Sequence, residues 1–375
     1  MKVIYAVPIE LDTPGGNVQH VLGICRHAAK NGVDLHLICL RGQGTIPAEA
    51  FKITAIPSEG LNALRRIRRF CQRALEIIEA SNDASWIYFR PFPLDYYLFT
   101  RHILKRNLRY AYELNTLWAE ELRSQKKPIK ALVYPWLESL SLRKANALLP
   151  VTQEIANHAR SVGGAKVPYL VAGNGIEIPS TPSQTLQELR AKWNLPSSMK
   201  LVIMAGFSRP WHGYEKLLAA LSELPPLWHV VLVGSESSDV TSKVQQQAED
   251  LGLKGRVHVL PWLTHTDVDE VVYACDVGVS PLALEVKKMK EAQSLKVRHY
   301  LAMGLPVLIA GGETESITKQ PFVHMLDNTS PKAISQGIQA LGESRDIATI
   351  QSFAKTYLSW EAVAKNTFQF LKTLS

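Results

Sequence analysis

The 375-residue sequence holds only four cysteines, scattered at Cys25, Cys39, Cys71 and Cys275, with no CxxC pair and no zinc-like spacing. That excludes a disulfide scaffold and a zinc module, and it suits packed free thiols in a reducing compartment. No run approaches the roughly 18 apolar residues that a membrane span needs. The opening MKVIYAVPIEL is interrupted by Pro8 and Glu10, so it reads as a first β-strand and not as a signal peptide. Low-complexity tracts and short-period repeats are missing, as are an HExxH motif and a loop-borne DxD pair. No metal and no cofactor are therefore expected. The basic residues lack interleaved stacking aromatics, which argues against a nucleic-acid partner.

What is present describes a globular protein of two ordinary domains: 46% hydrophobic residues, 20% charged, and a formal charge of +8 that points to an anionic partner. Strand-like and helix-like pieces alternate. In the first half KVIYAVP, VDLHLICL, SWIYFRP, RYAYELN and ANALLPVT read as strands; in the second, KLVIMAGF, WHVVLVGS, VHVLPW, DVGVSP and LPVLIAG do. Such alternation predicts parallel sheets covered on both faces. NGIEIPSTPSQT is a plausible linker. The boundaries expected are an N-terminal domain over 1–177, a C-terminal domain over 178–356, and a final helix over 357–375 packing back towards the N-terminal domain.

Ligands of open α/β sheets bind beyond the carboxyl ends of the strands, so the loops there matter most. In TPGGNVQHV, Gly15 and Gly16 let backbone N–H groups approach an anion at a helix N-terminus, or simply make a tight turn. AGFSRPWHGYEKLL occupies the matching place in the second half. There Arg209 suits phosphate oxygens, and His212 stands just before a helix start. VLPWL brings Leu260, Pro261 and Trp262, which either cover a flat ring or join the core. In EAQSLKVRHYLAMGLPVL, Glu291 and His299 lie eight positions apart, with Ser294 and Leu295 between them at a helix start. Glu291 has a bland alternative, a solvated patch with Lys287, Lys288 and Lys290.

NGIE, WHGYEKLLAAL and KVRHYLAMGLPVL, in this order, resemble glycosyltransferase family 4 over essentially the whole chain. The resemblance implies a GT-B fold, two Rossmann-like doubly wound domains facing across a cleft. It implies a retaining transfer of a hexose-type sugar from a nucleoside diphosphate sugar to a glycan or lipid-linked acceptor, in cell-surface polysaccharide or glycolipid synthesis. Residue by residue, Arg209, His212, Gly16, Ser294 and Leu295 would hold the diphosphate, with His212 where lysine is usual. Glu291 would address the transferred sugar and, with Arg209 and His212, form the catalytic set. His299 falls where a glutamate usually holds the ribose, and Leu260, Pro261 and Trp262 match the loop that meets the nucleobase. Gly15, Asn115 and Glu291 would face sugar or acceptor. A sugar-nucleotide isomerase on the same fold, or a weakly active partner subunit, are the alternatives.

One segment bears on location. LNALRRIRRFCQRALEII sets Leu61, Leu64, Ile67, Cys71, Leu75 and Ile78 on one helical face beside five arginines. It reads either as a helix that docks on an anionic membrane surface through residues 61–78 or as an ordinary core-facing helix. The expected location is the cytoplasm, peripheral on the inner face of the membrane.

Overall fold

The computed structural model describes residues 1–13, 15–81, 83–124, 126–287, 293–343 and 345–374. The chain divides into two compact units: Met1–Gly175 with Trp360–Ser375, and Ile176–Ser359.

The first unit is a six-stranded sheet of β1 (Lys2–Glu10), β2 (Asp34–Arg41), β3 (Lys52–Pro57), β4 (Trp86–Phe89), β5 (Tyr110–Leu114) and β6 (Ala147–Pro150). The strands lie in the order β3-β2-β1-β4-β5-β6, every neighbouring pair parallel. The central strands are buried on both faces, which is why they read as unbroken apolar runs. One face is covered by α1 (Gly16–Lys30) and by the terminal helix Trp360–Thr373, whose Trp360 lies against Gly23 of α1. A Cβ at Gly23 would come within 2.4 Å of that indole ring, so this contact requires a glycine. The opposite face packs under α2 (Ala63–Glu79), a π-helical turn (Tyr96–Thr100) and the end of α4 (Pro128–Leu142), which follows the short α3 (Trp118–Ser124).

The second unit repeats the plan with β7 (Lys200–Ala205), β8 (Trp228–Ser235), β9 (Val257–Pro261), β10 (Val277–Val279), β11 (Val307–Ala310) and β12 (Val323–Leu326). Their order is β12-β11-β10-β7-β8-β9, again parallel. Both sheets therefore reverse direction beside their first strand, between β1 and β4 and between β7 and β10. Those reversals are where open α/β sheets form ligand crevices.

Candidate active site

In the second unit, the chain leaves β7 through Gly206 and Arg209 and makes one 3₁₀ turn, Pro210–His212. It then enters α5 (Tyr214–Glu223) through Gly213. Gly213 has φ 65°, the left-handed region that favours glycine, and a Cβ there would press to 3.0 Å from Ala283. The turn is fixed from behind, because the Leu282 and Ala283 amides donate to the His212 and Trp211 carbonyls at 2.9 and 3.2 Å. His212 is buried, and its Nδ1 accepts the Arg209 amide at 3.3 Å. Arg209 itself projects outward, with its guanidinium 3.8 Å from the carboxylate of Glu236.

Across the reversal stands α7 (Leu295–Ala302), which follows β10 and is capped by Ser294. A buried ion pair holds its first turn. Arg298 and Glu313 meet at 2.9 Å, both side chains about 2% exposed. Arg298 also donates to Gln293 Oε1 at 2.8 Å, while Glu313 Oε1 accepts the Ser294 amide at 3.2 Å. Of the two amides expected to meet a phosphate, that of Ser294 is thus already engaged. Lys296 reaches back across the switch point and donates to the Gly206 carbonyl at 3.0 Å, so a second cation stands beside the β7 loop. Ser280, Ser294, Val297, Ile309, Gly311 and Glu313 line a small crevice beside this turn.

His299 lies one helical turn beyond Leu295. Its Nε2 is 2.6 Å from Oδ1 of Asp269 on α6 (His265–Ala274), both side chains about a fifth to a quarter exposed. The position that lacks a carboxylate in the sequence is therefore paired with one from another helix. At the end of β9, Leu260 is partly buried against the core, Pro261 is exposed, and Trp262 is 73% exposed. A core role for Trp262 is thereby removed. Its ring stands close to Gly234, which in turn abuts Gly206. Glu291 lies outside the described residues.

In the first unit Gly15 and Gly16 open α1 beyond the end of β1. Both are exposed, and no side chain caps that helix start. At the end of β5, Asn115 has a buried Oδ1 with no hydrogen-bond partner among the described residues. Two residues earlier, Glu113 sits at the centre of a buried cluster. Arg90 donates to it at 2.9 Å, the Tyr5 hydroxyl donates to its other oxygen, and His20 Nε2 lies 3.1 Å away. Burial alone would raise the Glu113 carboxyl, but Arg90 and His20 outweigh it and hold the group well below the usual carboxylate range. His20 also bonds Asn174 at 2.8 Å, next to the end of this unit. Among the described residues no three His, Cys, Asp or Glu side chains come together as a metal-holding group.

Two family models match the two halves: Glycosyltransferase Family 4 over residues 14–178 and Glycosyl transferases group 1 over residues 186–353. The chain belongs to the group 1, family 4 glycosyltransferases. It is 26% identical over 181 residues to D-inositol 3-phosphate glycosyltransferase of Mycobacterium tuberculosis, a match covering 46% of this chain. That match spans only 38% of the relative's own length. Solved structures resemble the glycosyltransferase throughout. A Rickettsia africae glycosyltransferase has TM-score 0.72 at 16% identity, covering 100% of this chain and 98% of that one. Sucrose-phosphate synthase of Thermosynechococcus elongatus gives 0.70 at 15%, with the same coverages. Anabaena HepE, solved with UDP, gives 0.70 at 16% over 100% of both chains. The two Rossmann-like units make this a GT-B fold.

Several positioning groups of this glycosyltransferase escape a linear reading. Lys296, Arg298, Glu313 and Asp269 stand at the strand-end loops of the second unit, and His20, Arg90 and Glu113 cluster near those of the first. The available signal was charge inside apolar context, as in YFRPF, AYEL and KVRHY. On α2 the apolar side is used by the core. Phe70, Cys71, Ala74 and Ile78 are buried, with Ile67 and Leu75 packed beside them, while Arg65, Arg68, Arg69 and Arg73 face solvent. Residues 61–78 thus present their arginines to solvent, and only Leu64 among the expected apolar contacts is exposed. No helix among the described residues is long and apolar enough to cross a membrane.

Proposed function

We propose that this glycosyltransferase is a retaining hexosyltransferase that takes its sugar from a uridine diphosphate sugar and passes it to a glycan or lipid-linked acceptor. It would act at the cytoplasmic face of a membrane in cell-surface polysaccharide or glycolipid synthesis. The observation that carries the reading is the set of groups at the strand ends of the second unit: exposed Trp262, outward-pointing Arg209, the buried His212 turn, Lys296, and the His299–Asp269 pair. A base against the indole, a ribose on the His299–Asp269 pair and a diphosphate between Arg209, His212, Lys296 and the α7 start would use each of them. The uridine preference is supported by HepE and by a trehalose-6-phosphate structure from E. coli, solved with UDP and UDP-2-fluoro glucose respectively.

In the transfer, the bond from the sugar's anomeric carbon to the diphosphate oxygen breaks as the acceptor hydroxyl attacks from the same face. The acceptor proton passes to a phosphate oxygen of the leaving diphosphate. The protein's share is orientation and charge: Arg209, His212 and Lys296 stabilise the departing diphosphate, and Glu291 addresses the sugar. Asn115 and Gly15 would face the acceptor or the sugar, and Gly16 the diphosphate. Isothermal titration with UDP and GDP tests the donor side. UDP should bind, and Arg209→Ala should weaken it by about 1.5–3 kcal/mol, the range for hydrogen bonds to charged groups. Absence of any nucleoside diphosphate binding would sink the reading. UDP release without an acceptor would favour an isomerase-like side reaction over transfer.

A further inference from the structure

Helix α4 is built inside out. Its buried positions include the polar Tyr134, Glu138, Ser139 and Ser141, whereas Ile129 and Leu132 are each 79% exposed and Trp136 58%, with Val133 exposed beside them. These four follow the i, i+3, i+4, i+7 spacing of a single helical stripe. The arrangement is held in place by the polar side. Glu138 pairs with His158 at 3.0 Å, Ser141 Oγ donates to buried Asp95 at 3.1 Å, and the Tyr110 hydroxyl donates to the Ser141 carbonyl. A soluble helix turns the other way, so the outward stripe needs a partner.

The surroundings say which. Among the described residues, every exposed large hydrophobic side chain of the first unit lies on α2, on or just before the π-helical turn, or on α4: Leu64, Leu94 and Tyr97 join the α4 stripe. Both α2 and α4 pack against that turn, on the same face of the sheet. The charge around them has one dominant sign, with Arg65, Arg68, Arg69 and Arg73 exposed on α2 and Lys126, Lys127 and Lys130 exposed at the start of α4. A second copy meeting this face across a two-fold axis would bring like charges together. An apolar stripe with a tryptophan, flanked by cations, fits the headgroup boundary of an anionic bilayer.

We infer that α4 lies in the surface of an anionic membrane through Ile129, Leu132, Val133 and Trp136, with the arginines of α2 supplying the electrostatic attraction. The inference does not depend on the proposed donor chemistry, since vesicle binding needs no nucleotide. The test is co-sedimentation of the full chain with phosphatidylcholine vesicles, with and without phosphatidylglycerol. Wild type should bind the anionic vesicles and come off as salt rises. Ile129→Ser/Trp136→Ser should lower partitioning by on the order of tenfold or more, while keeping the wild-type melting temperature and UDP affinity. Arg68→Gln/Arg69→Gln should lower it by roughly tenfold and flatten the salt dependence. Trp136→Phe should still bind but lose the quenching of tryptophan fluorescence by brominated lipid. Undiminished vesicle binding by the Ile129→Ser/Trp136→Ser variant, or equal binding to neutral vesicles, would overturn the inference. So would a wild-type dimer that the variant turns into a monomer, because the stripe would then belong to a second copy. Failure of wild type to bind anionic vesicles at low salt would overturn it as well.

Discussion

Glu313→Gln is the most informative single change at the donor side. The substitution keeps the side-chain volume and one acceptor oxygen, yet it leaves the Arg298 guanidinium buried without its counter-charge. In the folded protein that guanidinium is only 2.9 Å from Glu313, and Gln293 and the Ser294 carbonyl supply neutral acceptors that do not replace a charge. Removing one member of a buried pair costs about 3–5 kcal/mol, because the remaining ion keeps its desolvation penalty. Urea unfolding should show that loss in the transition of the unit carrying residues 176–359. Nucleoside diphosphate affinity should fall too, since Glu313 accepts the Ser294 amide at the start of α7. Arg298→Met combined with Glu313→Gln removes the orphaned charge and should recover part of the stability. A folded Glu313→Gln protein that loses less than about 1 kcal/mol would refute the assignment of this pair as the staple of the first turn.

Changes at two further polar centres test the rest. Burial pushes the Asp95 carboxyl up to about 7 from an ordinary 3.8, against the Tyr112 and Ser141 hydroxyls that favour its charged form. The folded protein then holds a proton that the unfolded chain has already lost. Stability should fall by about 4 kcal/mol in all as pH rises from near 4 through 7, and Asp95→Asn should flatten that slope. Urea midpoints at pH 5 and pH 8 decide it; equal slopes in both proteins would contradict the buried neutral carboxyl. For the ribose side, His299→Ala and Asp269→Asn should each raise the donor KM more than they lower kcat, and the double variant should lose little beyond either. A kcat collapse at unchanged KM in either variant would make His299 a base and not a contact.

The architecture was legible because buried parallel strands carry their own signal. Ten of the twelve strands among the described residues stand out as apolar runs next to turn residues. The two that do not, β3 and β12, lie at the sheet edges and are only partly buried, so KITAIP and VHML give no unbroken apolar run. The loops were legible for a related reason: Gly213, and the paired glycines before α1, mark places where backbone must turn tightly or approach something closely. Helix α2 shows the limit. Its arginine-rich sequence is the same whether its apolar side meets a sheet or a bilayer, and only the packing of Cys71 and Ile78 decides. Helix α4 shows the reverse case, with its apolar stripe outside and its polar side packed inward.

Side chains that act through a partner on another element were not legible at all. His299 looks like the loss of a carboxylate until Asp269 is found 2.6 Å away, on a helix some thirty positions earlier. That pairing changes what a reverting substitution would do. His299→Glu, which from sequence alone looks like a repair, would set a carboxylate against Asp269 and repel it at close range. The physical repair is His299→Glu together with Asp269→Asn, which leaves a single negative charge facing the ribose hydroxyls. If donor affinity were kept in His299→Glu alone and lost in the combined variant, the two residues would not be working as one acceptor group. What the sequence shows at this position as a histidine is, in the folded chain, a histidine paired with a carboxylate from another helix.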